Sequence, residues 1–322
     1  MNTTAHIPVL VNEVIAGLNL KPSDNVIDAT LGGGGHAEAI LEATALNGKL
    51  LGIDWDSKAV KRAQERLAKY KNRLILKTGN YRNVKEIIYE SGFNEVSAVL
   101  LDLGLSTDQL ADKSRGFSFS SEGPLDMRFS DQEGLTAAAV VNTWSEKDLA
   151  HIFRKYGEER HASRIAHLIV ALRQRAPFNS ALELADVVLR GAGRRGGKKR
   201  ISARGGSAFG RHPATRVFQA LRITINRELE NLEAALPEMV DILASQGRLA
   251  IISFHSLEDR IVKQFFKREA IGCLCPPELP ECRCRHQARL RLINKKVITP
   301  TEDEIRRNPA ARSAKLRIAE KI

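Results

Sequence analysis

Three aspartates each close a short apolar run: Asp28 ends NVID, Asp54 ends KLLGID and Asp102 ends VSAVLLD. In open α/β sheets, ligands bind at the carboxyl ends of the strands, so carboxylates placed there can hold hydroxyl or amino groups of a bound molecule. Directly behind Asp28 the chain reads ATLGGGGH, with four consecutive glycines from Gly32 to Gly35. Such a run carries a large backbone entropy cost, which implies that bare backbone is needed there. A glycine-rich turn between a first strand and a first helix lets a ligand approach the main chain closely. The run is not GxGxxG and no lysine follows it, which argues against phosphate cradling. Asp54 lies 22 residues beyond Gly32, where this fold class accepts hydrogen bonds from a ribose. A carboxylate at that point rejects a ribose phosphate and suits a free diol. Nicotinamide cofactors and S-adenosylmethionine both meet these requirements. The competing reading of Asp54 is a helix N-cap or first-turn carboxylate. Asp102 is suited to an amino group, either a cofactor's or a substrate's.

The elements that position these residues follow from periodicity. Apolar runs are expected as strands at 25–30, 49–54, 73–79 and 96–104. Helical stretches alternate with them, HAEAILEAT first, then WDSKAVKRAQERLAKY with Val60, Ala63, Leu67 and Tyr70 on one face. Near-continuous apolar strands alternating with helices belong in a parallel sheet covered on both faces. The fold class is therefore α/β, a doubly wound Rossmann-like sheet. After about residue 108 the pattern changes to helical stretches with no convincing strand, and the strand signal returns at GRLAIISFH (247–255) and SAKLRIAE (313–320). The expected division is 1–108 for the first part of the sheet domain, 109–212 for a helical insertion, and 213–322 for the second part.

Composition narrows the class of partner. Fifty Lys and Arg against 38 Asp and Glu give a formal net charge of +12, which favours a polyanion, nucleic acid before anionic membrane. Residues 190–211, RGAGRRGGKKRISARGGSAFGR, hold eight Arg or Lys and no acid. Glycine and serine fill most of the remainder, the composition of a mobile loop that meets phosphates. The helix expected from His212-Pro213 carries Phe218, Leu221, Ile225, Leu229 and Leu232 as an apolar stripe, leaving Arg216, Arg222 and Arg227 for phosphates or solvent. MNTTAHIPVL lacks a basic n-region and an apolar h-region, and no apolar run approaches a membrane span. Its cysteines fall within twelve residues, unlike a secreted disulfide framework. A cytoplasmic location is expected, with no membrane partner.

Longer blocks then carry a resemblance: HIPVL (6–10), DATLGGGGH (28–36), DLGLSTDQL (102–110), RGFSF (115–119), PLDMR (124–128), HPATRVFQALRITIN (212–226), ISFHSLEDRIVK (252–263) and SAKLRIAEK (313–321). In order and over His6 to Lys321, they resemble the bacterial small-subunit (16S) ribosomal RNA cytosine-N4 methyltransferases of the MraW type. That resemblance implies an S-adenosylmethionine-dependent domain split by a helical substrate-recognition insertion. Its substrate would be a cytosine of the small-subunit ribosomal RNA near the decoding centre, in naked RNA or the assembled small subunit, with the enzyme a monomer or homodimer. Cofactor contacts carry over to Gly34, Gly35 and His36 in the glycine turn, Asp54 on the ribose hydroxyls and Tyr81 beside the adenine, with Asp102 and Gln109 completing the set. Thr107 stands where the family usually has a second serine, and Ala111 where it has an aspartate. RNA contacts are expected from Arg194, Arg195, Lys198, Lys199, Arg200, Arg211 and Arg216.

The chemistry so implied needs alignment of a weakly nucleophilic exocyclic amine with an electrophilic methyl, an acceptor on the amine and a later proton acceptor. Asp102 or its turn is the expected catalytic position, although the same carboxylate is claimed for the cofactor. No Pro-Pro-aromatic turn follows it, as one would in DNA amino-methyltransferases. Phe117, Phe119 and PLDMR are either a wall of the base pocket or the core of the insertion. His255 with Glu258 and Asp259 reads as a capped helix start, Ser256 capping and Asp259 third. Methyl transfer requires no metal. Cys273, Cys275, Cys282 and Cys284, spaced C-x-C-x6-C-x-C with His286 nearby, are either a structural zinc site or reduced thiols in an irregular loop. A nicotinamide oxidoreductase shares the glycine turn and Asp54 but would want GxGxxG. A non-catalytic assembly factor is the third reading.

Overall fold

The computed structural model describes residues 7–119, 123–130, 134–193, 212–276, 279, 281 and 283–322. Two compact units emerge, one of Met1–Ser106 with Leu229–Ile322 and the other of Thr107–Glu228. The chain begins with α1 (Val11–Leu18), β1 (Asn25–Asp28), α2 (Gly35–Ala43), β2 (Leu50–Asp54), α3 (Ser57–Arg66), β3 (Leu74–Thr78), α4 (Val84–Ser91) and β4 (Val96–Asp102). The second unit follows as α5 (Thr107–Ala111), α6 (Ala137–Thr143), α7 (Glu146–Lys155), α8 (Ala162–Arg173), α9 (Ala181–Gly191) and α10 (Pro213–Asn226). Then come α11 (Glu228–Ile242), β5 (Leu243–Ser253), α12 (Ser256–Glu269), β6 (Leu290–Leu292), α13 (Glu302–Arg307) and β7 (Lys315–Lys321).

All seven strands lie in the first unit among the described residues, in the order β3-β2-β1-β4-β5-β7-β6. β1 through β5 pair in parallel, whereas β7 runs antiparallel to both β5 and β6. The near-continuous apolar strands explain the two covered faces. Alternate residues point to opposite sides: Ile27, Leu51, Val99, Leu101 and Ile251 join a core with Val84 of α4, Leu236 and Met239 of α11 and Phe266 of α12. Val26, Leu50, Leu100 and Ile252 join a second core with Val14 of α1, Ile40 of α2 and Leu67 just beyond α3. Each large aliphatic side chain removed from water in this way contributes roughly 1.5–3 kcal/mol. The doubly wound expectation therefore holds. β6 was not expected; it is a three-residue edge strand, too short for a periodicity to register.

Two local features fix the ligand-facing turns. Asp56, not Asp54, caps α3, its carboxylate accepting from Lys58 N at 3.0 Å. That leaves Asp54 outside the capping role. At the far end of α2, the Arg73 guanidinium donates to the carbonyls of Leu41, Thr44 and Gly48 at 2.8–3.0 Å. It satisfies helix-end acceptors that have no intrahelical partner and complements the helix dipole.

The helical unit has its own interior. Ala162, Ile165 and Ile169 of α8, Leu184 and Val188 of α9, and Val217 and Leu221 of α10 are buried. α10 packs with α6, α7 and α9. The sequence boundary at 212 falls before α10, whereas the structural one falls after Glu228. The apolar stripe drawn from Phe218 to Leu232 is also broken. Arg227 adopts a left-handed conformation (φ 51°) that ends α10, and α11 begins at Glu228. Ile225 and Leu229 are only partly buried as a result.

Candidate active site

The strand order reverses at β1, which has β2 on one side and β4 on the other, and the crevice at such a switch point is where open α/β sheets bind ligands. Asp28, Asp54 and Asp102 are the last residues of the three strands that meet there. The turn after β1 is laced to both neighbours. Ala29 N donates to Leu100 O and Leu31 N to Ile53 O, each at 2.9 Å. Thr30 ties the rim together: its N donates to Asp28 Oδ1 at 3.2 Å, and its Oγ1 accepts from Asp102 N at 2.6 Å.

The glycines behave as bare backbone. Gly32 (φ 51°) and Gly34 (φ 77°) both sit in the left-handed region, where a side chain is strained. Gly34 is the N-cap of α2, whose first turn starts at Gly35 and His36. A Cβ on Gly35 would lie 2.8 Å from Pro8 Cγ, so the segment before α1 closes directly over the helix start. Asp54 locks the same turn from the side. Its Oδ2 accepts from Gly32 N at 2.7 Å and its Oδ1 from Asp56 N at 2.8 Å. Burial raises its carboxyl to about 6, against those two backbone hydrogen bonds. Each oxygen keeps a further lone pair for an incoming hydroxyl. Tyr81 opens a 3₁₀ turn just after β3, anchored by the bond from Gly79 N to Asp54 O (2.9 Å), and is partly buried against the core.

Asp102 is shifted in the same sense as Asp54. Burial, then the charges of Asp28 and Glu258, push its carboxyl well above the usual range. Oδ1 has no hydrogen-bond partner among the described residues, nor does Asp28 Oδ2. Burial likewise pushes Asp28 up to about 7, with the Asp54 charge adding to it and the Thr30 N–H opposing it. His36 is buried beside them. Its Nε2 lies 2.8 Å from Val9 O, which can only accept, so Nε2 carries the proton and Nδ1 faces Asp102 Oδ2 at 3.5 Å. Buried carboxyls with unsatisfied oxygens offer the acceptors that the N–H donors of a cationic, amino-bearing ligand require. The diol-accepting Asp54 and the bare glycine turn complete a fit to S-adenosylmethionine.

Thr30 of this rim escaped sequence reading, and Glu258 was read there only as part of a helix start. Thr30 stands inside the DATLGGGGH block, and the Asp-x-Thr spacing of a side-chain-to-backbone turn was its signal. Glu258 is 3% exposed and accepts from Phe254 N (2.9 Å) and His255 N (3.3 Å). The N-cap of α12 is His255, with Glu258 at the third position of the capping box, one residue earlier than Ser256 and Asp259 would place it. Asp259 instead pairs with Arg317 and Lys315 at 2.8 and 3.2 Å.

In the helical unit, Gln109 is buried within α5. Phe117, Leu125 and Met127 are buried, Phe117 stacks on Phe129 (5.6 Å between centroids) and Phe119 on His212 (4.6 Å). Phe117 thus belongs to the unit's interior, while Phe119 and Phe129 are half-buried. Arg222, left between phosphates and solvent by the sequence, is held bidentately by Glu228 at 2.8 and 2.9 Å. Arg216 is about half exposed, 3.8 Å from Glu159. Arg194, Arg195, Lys198, Lys199, Arg200 and Arg211 lie outside the described residues, as does Cys282.

Comparison with known proteins gives a consistent match. Residues 3–322 match the sequence profile of the MraW methylase family. The chain is 51% identical over 320 residues to a Ribosomal RNA small subunit methyltransferase H from Thermomicrobium roseum, covering 99% of this chain and 94% of that one. Proteins of the same name from Dehalococcoides mccartyi and Carboxydothermus hydrogenoformans are 48% and 46% identical, covering 100% and 99% of this chain and 88% and 98% of theirs.

Proposed function

The chain belongs to the MraW methylase family, and from that premise we propose that it methylates the exocyclic N4 of a cytosine in small-subunit (16S) ribosomal RNA near the decoding centre, using S-adenosylmethionine. The observation that carries this reading is the buried, partnerless Asp102 Oδ1 at the switch point, beside a glycine turn that Asp54 fastens through Gly32 N. The substrate is naked small-subunit RNA or the assembled subunit, met in the cytoplasm by a monomer or homodimer. No helix among the described residues is long and apolar enough to cross a membrane.

Each residue has a distinct task in this reading. Gly34, Gly35 and His36 present main chain to the cofactor, Asp54 accepts its ribose hydroxyls, Tyr81 lies beside the adenine, and Gln109 completes the contacts. When bound, S-adenosylmethionine supplies a methyl made electrophilic by its sulfonium. A cytosine amine is a poor nucleophile because its lone pair is delocalised into the ring, so positioning supplies most of the acceleration, roughly 7–11 kcal/mol for a well-aligned pair. Asp102 is the acceptor on the rim, and burial together with the charges of Asp28 and Glu258 raises its affinity for a proton. Arg194, Arg195, Lys198, Lys199, Arg200, Arg211 and Arg216 bind RNA phosphates.

Methyl transfer from labelled cofactor to unmodified small-subunit RNA and to assembled subunits, read as N4-methylcytidine after digestion, tests the activity. Label in duplex DNA alone would overturn it. Asp54→Ala is expected to weaken cofactor binding about 10–100-fold, the worth of hydrogen bonds to a charged acceptor. Isothermal titration should return the same loss for S-adenosylhomocysteine, because the ribose is common to both ligands. Glutamine at Arg194, Arg195, Lys198, Lys199 and Arg200 should lower RNA affinity with cofactor affinity intact. The slope of log K against log salt should flatten by about 0.7 per lost phosphate contact. An unchanged slope would remove the basic segment from the interface.

A further inference from the structure

Between Glu269, the end of α12, and Leu290, the start of β6, the chain makes an excursion that holds all four cysteines. Its base is closed by Arg289 N donating to Glu269 O at 2.8 Å and by His286 Nε2, 3.0 Å from Arg268 O. Within it the sulfurs of Cys273, Cys275 and Cys284 lie within 4.8 Å of one another. Cys273 and Cys284 are exposed, so packing into a core does not explain the convergence. A disulfide does not explain it either. The Cys273–Cys284 sulfur separation is 3.8 Å, far beyond the S–S bond of about 2.05 Å. It does match the edge of a tetrahedron of sulfurs around an ion with bonds of about 2.3 Å, which is about 3.8 Å.

We propose that Cys273, Cys275 and Cys284 are ligands of a structural zinc ion that pins this excursion. Backbone geometry supports the set. Leu274 N donates to Cys284 Sγ at 3.2 Å, Cys275 N to Cys273 Sγ at 3.4 Å and Arg283 N to Cys275 Sγ at 3.3 Å. Each sulfur thus receives a main-chain N–H, the outer-shell support that orients a ligand and spreads its charge. Thiolates select soft or borderline metals, and sulfur-only tetrahedral sites favour zinc. Three thiolates on one Zn²⁺ leave a net negative charge, and Arg283 inside the motif with Arg268 and Arg285 flanking it in sequence can offset it. Binding releases the thiol protons and changes no oxidation state. The site stands independently of the methyl-transfer reading.

The test is metal analysis of untagged full-length protein purified under reducing conditions from zinc-containing medium. About one zinc per chain is expected, released by a mercurial thiol reagent and retained through gel filtration. Cys273→Ser and Cys284→Ser should each lose it, while cofactor affinity in the same preparations reports that the fold is intact. Should those variants fail to fold, Co²⁺ exchanged into the unmodified protein decides the matter through thiolate-to-metal charge-transfer bands and intense tetrahedral ligand-field bands. Protein that carries no zinc and gives no such bands with Co²⁺ would overturn the proposal. Stoichiometric iron or copper, or a native disulfide between two of the three cysteines found by mass spectrometry, would do the same.

Discussion

Asp102→Asn is expected to lower the rate of methyl transfer by about 10²–10³, equivalent to about 2.7–4 kcal/mol of lost electrostatic stabilisation, while leaving the protein at least as stable. The two halves of that expectation have one cause. Asp102 ends β4 with a backbone N–H held by Thr30 Oγ1, a bond the substitution does not touch. Its side chain contributes no hydrogen bond from Oδ1 to the fold. Burial and the charges of Asp28 and Glu258 disfavour its ionised form. An isosteric amide removes that penalty and also removes the carboxylate at the tip of β4 that can carry negative charge toward a cationic ligand or accept a proton. Single-turnover transfer measures the first half and thermal melts the second. The loss of affinity should be larger for S-adenosylmethionine than for S-adenosylhomocysteine, which lacks the sulfonium. A transfer rate within about threefold of the parent would exclude Asp102 from the chemistry, since general acid–base roles are worth at least about 10².

The strand-end aspartates were legible in the sequence because they depend on local pattern. An apolar run ending in a carboxylate, followed by glycines or a polar turn, reports a strand tip whatever the tertiary partners are. Asp28, Asp54 and Asp102 are accordingly the last residues of β1, β2 and β4. What local pattern cannot report is competition for a hydrogen bond between distant segments. Glu258 is 156 residues from Asp102 in the chain, yet its charge is felt there. Arg222 looked like one more exposed arginine on a helix, but the turn at Arg227 brings Glu228 back to clamp it. The capping residue of α12 was misplaced by one for a similar reason. A serine is the stronger intrinsic cap, but the buried Glu258 reaches back to Phe254 N and His255 N and so fixes His255 as the cap. Phe117 and Phe119 were equally compatible with a pocket wall and an interior, because aromatic content alone does not distinguish them.

The rim has a thermodynamic consequence of its own, concentrated at Asp28. This carboxyl is 1% exposed, with Oδ1 accepting from Thr30 N and Oδ2 without a partner among the described residues. Burial, with the Asp54 charge adding to it and the Thr30 bond opposing it, raises it from 3.8 to about 7. Below pH 3.8 the group is protonated in both folded and unfolded chains and costs nothing. Between 3.8 and about 7 the unfolded chain gives up its proton and the folded chain keeps it. The folded state then binds more protons, so stability falls as pH rises. Above about 7 the penalty is complete, roughly 4 kcal/mol for a titration displaced by about three pH units. Asp28→Asn keeps an oxygen for the Thr30 N–H and removes the titration. The variant should therefore gain stability over the parent progressively from about pH 4 to about pH 7, with the difference level above that. Urea unfolding at about pH 5 and about pH 8 measures it, and a difference that stays the same at both would refute the linkage. Saturating S-adenosylmethionine should stabilise the parent more at the higher of those two pH values, because a positive ligand beside the rim compensates carboxylates that are ionised only there. The instability at Asp28 and the affinity of the crevice for a cation are thus the same electrostatic effect, seen without and with the ligand.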